Sequence, residues 1–367
     1  MKIRNEYICQ SLRKGLSMGK AKLLLLGLAA LAVLLAGCDR EITGDVTLAD
    51  TSDESCLECH SGLLDQAQGE WANSVHASGS NVDYTNRGDG DDCTRCHDQQ
   101  GFIQFLATGM LPDEPLSTVS AIGCFTCHNP HETADLSLRT VAAYTLENGD
   151  VFDHEAGNLC ANCHHSRYDA TGITDNIAVH RYWGPHHGPQ GDMLIGSNAW
   201  EFPGEGYDIE SSPHASAVRD ACAGCHMGNV EAHDGYAIGG HSWNMVDEET
   251  GSSLAALCAE CHDEDDTFDV EGKQTEIDSL MAELRTLLED QGVLSDDHPP
   301  GFPGSGPTIA DRHLAGALFN FLFILEDRSR GVHNYEYAAS LLEASIDYVS
   351  GLPAGSSTPP ITMITAH

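Results

Sequence analysis

Apolar positions follow a helical order in only one part of the chain. Ile277, Leu280, Met281, Leu284, Leu287 and Leu288 recur at spacings of three and four, the period of an amphipathic helix. A second helix is predicted at about 310–327, with Leu314, Leu318, Phe321, Leu322 and Leu325 along one face, and a third from His333 to Val349. A Gly/Pro linker over 299–307 separates the first two. The apolar stripes are read as core packing rather than a partner surface. Upstream, between 53 and about 266, no alternation of the strand type persists, and Gly, Asp, Asn and Pro interrupt the chain every few residues. Short helices are expected there, one of them over 69–76. That stretch carries too few apolar side chains for a core of its own. Residues 351–367, rich in Ser, Thr and Pro, read as a disordered tail.

The longest apolar run lies elsewhere, at 23–36, behind six basic residues (Lys2, Arg4, Arg13, Lys14, Lys20, Lys22) and one acid, Glu6. At 14 residues it is short for a membrane span and suited to a secretory signal. It ends Leu35-Ala36-Gly37-Cys38, which resembles the bacterial lipobox, so Cys38 is expected to carry lipid. Residues 1–37 are then the signal peptide and 38–52 a polar tether. Met18 offers an alternative start, in which case Cys9 belongs to no mature protein.

Charge changes the picture next. The chain has 18 Lys and Arg against 56 Asp and Glu, a formal net charge of −38. Without residues 1–37, 12 basic residues face 55 acidic ones, a formal −43, and Lys273 is the only lysine left. Such a surface repels phosphate backbones, which argues against nucleic-acid binding. The acidic runs 89–92 and 263–266 lack the spacing of a calcium loop and read as solvated.

The cysteines supply the chemistry. Of 14, twelve fall in one pattern, Cys-x-x-Cys-His: Cys56/Cys59/His60, Cys93/Cys96/His97, Cys124/Cys127/His128, Cys160/Cys163/His164, Cys222/Cys225/His226 and Cys258/Cys261/His262. This is the attachment signature of c-type haem. Two thiols must reach the two vinyl groups on one porphyrin edge, and the next side chain must place an imidazole on the iron. Zinc ribbons, a disulfide framework and a thioredoxin-like pair have no need of a His after every second Cys. Six haem c groups are expected, with the porphyrins supplying the apolar surface that residues 53–266 lack. The motif starts are 37, 31, 36, 62 and 36 residues apart, so the chain is not a repeat of identical units.

Each haem iron has a second axial position. Six of the 20 His are proximal, and 14 remain. Local context selects His76, His131, His186, His214, His241 and His333 as distal ligands. His187 is the alternative to His186, and His233 to His241. His154, His165, His180 and His313 stand in reserve, while His298 and His367 read as loop and tail residues. Closed irons favour electron transfer; an open position permits chemistry on a small molecule.

With these motifs, the chain resembles the multihaem cytochrome c superfamily that includes the pentahaem nitrite reductases and octahaem reductases. The segment Gly331-Val332-His333-Asn334 is similar to the C-terminal helical hairpin that supplies a distal ligand there. The resemblance implies a mostly α fold with little regular secondary structure, built around six haems and completed by C-terminal helices over 267–350. Reductases of that family often take Lys as the proximal ligand of the catalytic haem. Here all six motifs end in His and Lys273 stands in an acidic helical segment, so the enzymatic centre is not carried over. What remains is similar to electron-transfer haems and to lipoprotein cytochromes that respire extracellular acceptors. The expectation is therefore a membrane-anchored electron carrier at the outer membrane, cell surface or periplasmic face. Its partners would be redox proteins: quinol-linked or periplasmic donors, and outer-membrane or extracellular acceptors. The alternatives are a reductase of nitrite, hydroxylamine or a sulfur oxyanion with one open haem, and a subunit of a cytochrome filament.

Overall fold

The computed structural model describes residues 62, 64–78, 93–111, 116, 120–133, 135–180, 183–204, 207, 211–229, 236–262, 267–294 and 305–353. Cys9, Cys38, the motif Cys56/Cys59/His60, His233, His298, His367 and both acidic runs lie outside them, as do the signal, the tether and residues 354–367.

Helix dominates, and sheet is slight. Helices α1 (Asp65–Ala72) and α2 (Gln99–Thr108) precede a two-stranded pair, β1 (Tyr144–Thr145) and β2 (Val151–Phe152). Then come β3 (Ile177–His180), α3 (Gln190–Ile195), α4 (Lys273–Asp290), β4 (Ser305–Ile309), α5 (Arg312–Asp327) and α6 (Tyr335–Ser350). The expected helix over 69–76 begins earlier and stops at Ala72. Asn73 caps it, and His76 lies beyond its end.

The helical hairpin α5–α6 forms the core with α4. Leu314, Leu318, Phe319 and Phe323 of α5 are fully buried, against Ile277, Leu284 and Leu288 of α4 and Leu341 and Leu342 of α6. Each such side chain contributes about 1.5–3 kcal/mol by leaving water. Asp311 caps α5 by accepting the His313 N–H at 2.8 Å, and Asn334 caps α6 by accepting the Tyr337 N–H at 3.3 Å.

Two expectations need correction. Residues 305–309 do not act as linker. They form β4, which pairs antiparallel with β3, Ile177 opposite Ile309 and Ala178 opposite Thr308. The register slips between Ala178 and His180, where Pro307 has no N–H to give. Nor is the stretch 53–266 without a conventional core. Ala170, Ile173, Val179, Met193, Ala199 and Phe202 join the hairpin core, and a smaller cluster gathers Leu146, Phe152, Ala161, Leu194, Ala215 and Ala221. These residues are scattered singly in sequence; the first group finds its apolar partners in 277–349, and the second packs on itself.

The loop at Trp200 is tied to α5 by a buried amide. Asn320 accepts the Trp200 N–H and donates to its carbonyl, both at 2.8 Å, and donates to Ser345 of α6 at 3.1 Å. Gly316 lets the indole approach: a Cβ there would lie 2.1 Å from Trp200 Cδ1.

Candidate functional site

Each described Cys-x-x-Cys-His motif is wound into one turn. The His N–H donates to the carbonyl of the first Cys in His97→Cys93, His128→Cys124 and His164→Cys160, all at 2.9 Å, and in His262→Cys258 at 2.8 Å. The fifth motif is itself a short helix, Cys222–His226. One turn therefore gathers two thiols and an imidazole. None of the ten described motif cysteines is in a disulfide.

Five of the proximal histidines face a second histidine at nearly constant separation. Ring centres are 6.1 Å apart for His97 and His186, 6.3 Å for His128 and His241, and 6.1 Å for His164 and His76. They are 6.3 Å apart for His226 and His333 and 6.1 Å for His262 and His214. Rings in direct contact lie closer, as His186 and His187 do at 4.7 Å. Two metal–nitrogen bonds of about 2 Å, with ring centres about 1 Å beyond each nitrogen, separate axial imidazoles by about 6 Å. The spacing fits one metal atom between each pair. Among the described residues, no group of three His, Cys, Asp or Glu side chains converges to cage a metal. Each pair thus offers two opposed nitrogens and leaves the equatorial positions to a group the protein does not supply. A tetrapyrrole held by the adjacent thiols fits that requirement.

No family profile matches the chain. It is 21% identical over 341 residues to the C-type polyheme cytochrome OmcB of Geobacter sulfurreducens, covering 73% of this chain and 45% of that protein. It is 22% identical over 238 residues to the C-type polyheme cytochrome OmcC of the same organism, covering 54% of this chain and 30% of that one. The chain is a distant relative of these multihaem c-type cytochromes. It spans less than half the length of either. The crystal structure of Outer Cell Wall Cytochrome OcwA superposes with a TM-score of 0.49 at 20% identity, over 77% of this chain and 50% of that one.

The paired imidazoles are oriented through Nδ1. His226 lies 2.9 Å from the Trp243 carbonyl, His214 2.8 Å from the Val332 carbonyl, and His128 3.4 Å from the Ser137 carbonyl. His164 lies 3.2 Å from Gln190 Oε1, His333 2.6 Å from Asp327 Oδ1, and His241 3.4 Å from Glu70 Oε2. All six acceptors are oxygens that cannot donate, so Nδ1 carries the proton and Nε2 keeps its lone pair. Burial works in the same direction. It pushes His76 and His186 down to about 4, which keeps them neutral.

The motifs also crowd one another. Cys96 Sγ lies 3.9 Å from the Asn162 carbonyl and Cys163 Sγ 3.9 Å from the Arg95 carbonyl. Cys222 Sγ packs on the turn of the fourth motif, beside Gly157. Trp243 packs edge-on against His76 at 4.7 Å and His241 at 5.7 Å, while its carbonyl holds His226. One residue thereby touches three sites.

The remaining candidates fall elsewhere. His131 sits in a one-turn helix, Pro130–Thr133, its ring 5.7 Å from Phe125. His187 pairs with Glu326 at 2.9 Å, His313 stacks in an aromatic cluster with Phe202, Trp200 and Tyr348, and Lys273 lies over the Tyr335 ring. His165 is buried, its Nδ1 2.9 Å from the Ala161 carbonyl and its Nε2 2.8 Å from Arg95. Sequence reasoning passed over Gln190, Trp243, Glu70 and Asp327. Of these only Asp327 left a signal, an acid closing the helix that leads to His333.

Proposed function

We propose that this chain transfers electrons through six covalently bound c-type haems, each closed by two axial histidines. The carrying observation is the set of five proximal histidines, each faced by another His at 6.1–6.3 Å. Cys93/Cys96, Cys124/Cys127, Cys160/Cys163, Cys222/Cys225 and Cys258/Cys261 would hold the thioether edges. Their axial sets are His97 with His186, His128 with His241, His164 with His76, His226 with His333, and His262 with His214. A further haem would be held by Cys56, Cys59 and His60, which lie outside the described residues, and His131 is proposed as a distal ligand from its sequence context. When bound, haem c supplies reversible one-electron exchange at its iron. The protein's part is to fix both ligands, keep them neutral and hold the motifs close. A reductase needs an iron with a free axial position, and the five described pairs leave none at their sites.

The basic, apolar leader and Cys38 support export and lipid anchoring. The acidic mature chain supports basic redox partners, steered at rates that fall with salt. Haem quantification, with electron paramagnetic resonance of the oxidised protein, tests the reading. Six haems per chain, all low-spin and inert to carbon monoxide when reduced, are expected. A high-spin haem that binds carbon monoxide would overturn it.

A further inference from the structure

We infer that Asp327 holds the site formed by His226 and His333 at a lower reduction potential than the other four described sites. The inference rests on the bis-histidine reading and concerns what lies behind the ligands.

The acceptors on Nδ1 are unequal. At His226, His214, His128 and His164 they are neutral carbonyl or amide oxygens. At His333 the acceptor is a carboxylate at 2.6 Å, and Asp327 is 2% exposed. Its other oxygen accepts the Ser329 N–H at 3.2 Å and the Ser329 hydroxyl. The Ser329 oxygen in turn accepts the His333 N–H at 3.1 Å. The short segment from Asp327 to His333 is thus locked on itself. Arg328 turns it with φ +63°, in the left-handed region. The two guanidiniums of this segment are engaged by other acids, Arg328 by Glu326 and Arg330 by Asp278.

A buried carboxylate draws the Nδ1 proton toward itself and leaves the ring closer to imidazolate. Nε2 becomes a stronger donor, which favours the higher charge on a bound iron. The adjacent carboxylate also opposes electrostatically the electron that reduction adds. His241 also meets a carboxylate, Glu70, but at 3.4 Å. Glu70 is shared with the His241 backbone N–H at 2.9 Å and with Gln66 at 2.8 Å. That site ranks second. The placement gives the difference a consequence. The Cys222 thiol adjoins the turn of the fourth motif, 3.4 Å from where a Cβ on Gly157 would lie. The low-potential site therefore neighbours the fourth, and an electron passing from the fourth onto it meets an uphill step.

Potentiometric titration of the holoprotein, followed through the separate low-spin ferric resonances, tests this. In Asp327→Asn one haem of six should move to higher potential while the other five stay. The haem that moves should be one of the last two reduced in the unaltered protein. Unchanged potentials, or movement of a haem that is reduced early, would overturn the inference. Should Asp327→Asn fail to mature, the unaltered protein supplies a second readout. One ferric haem should show a near-infrared charge-transfer band displaced toward that of a histidinate ligand, and six alike bands would count against it. Glu70→Gln should raise a different haem, by less; a larger rise there than in Asp327→Asn would also overturn the ranking. Failure of the bis-histidine reading would show separately, as high-spin haem in the unaltered protein.

Discussion

Cys96 and Cys163 each point at the other's motif. The Cys96 thiol lies 3.9 Å from the carbonyl that precedes Cys163, and the Cys163 thiol 3.9 Å from the carbonyl that precedes Cys96. The contact is reciprocal, so the second and fourth attachment turns meet face to face. Two haems held there would be close neighbours. Replacing Cys93 and Cys96 by Ala should remove one haem from the covalent mass and also change the ferric resonance of the haem at Cys160/Cys163. Replacing Cys258 and Cys261 should remove one haem and leave that resonance alone. Intact mass and electron paramagnetic resonance check both, and independence of the second and fourth sites would refute the proximity.

The histidine pairs make a sharper demand. His76→Ala and His214→Ala should each convert one haem to a high-spin form that binds carbon monoxide when reduced. His187→Ala and His313→Ala should convert none, because these rings engage Glu326 and the Phe202–Tyr348 cluster instead. The His186/His187 pair is the strictest case, since the two are adjacent and only one should respond to substitution.

That case also shows what the sequence could and could not disclose. The attachment turns and the three C-terminal helices are written locally, in a fixed spacing and a 3.6-residue period, and both were legible. The choice between His186 and His187 was not. His186 has φ +68°, in the left-handed region, and this backbone turn aims one ring at His97 and the next at Glu326. Nothing in Pro185-His186-His187-Gly188 dictates the turn; tertiary packing imposes it. The same holds for β3 and β4, two short segments that pair across a long separation in sequence. Their apolar residues are too few to show a period, and Pro307 reads locally as a linker.

Gly316 offers a test of the hairpin that is separate from the haems. A methyl group there would press on Trp200, whose backbone Asn320 holds in place. Gly316→Ala should lower stability by about 1–3 kcal/mol, the usual cost of overpacking a filled core. Leu318→Ala, at a fully buried position, should cost about 2–5 kcal/mol. Thermal melting of the holoprotein measures both, and the haem count should be unchanged. A neutral Gly316→Ala would mean that the loop at Trp200 yields easily.

Stability should carry a pH signature from Asp192. This carboxyl is fully buried and accepts the Ser166 N–H at 2.6 Å and the Asn198 amide at 2.9 Å. Burial outweighs those bonds and raises it from 3.8 to about 7. In the unfolded chain it loses its proton near the ordinary carboxylate value; in the folded chain it keeps the proton until about neutral pH. Between the two, the folded state binds more protons, so stability falls as pH rises. The contribution is fully present below about pH 4 and lost as pH passes through 7. Asp192→Asn removes the titrating group and leaves one acceptor in place of two, a constant offset. The stability difference between the unaltered protein and Asp192→Asn should therefore decline from pH 4 to 7, by at most about 1.4 kcal/mol per pH unit, and stay flat on either side. Denaturant melts at half-unit pH steps would show it. A difference that rises with pH would mean that the two hydrogen bonds, not burial, set the charge of Asp192.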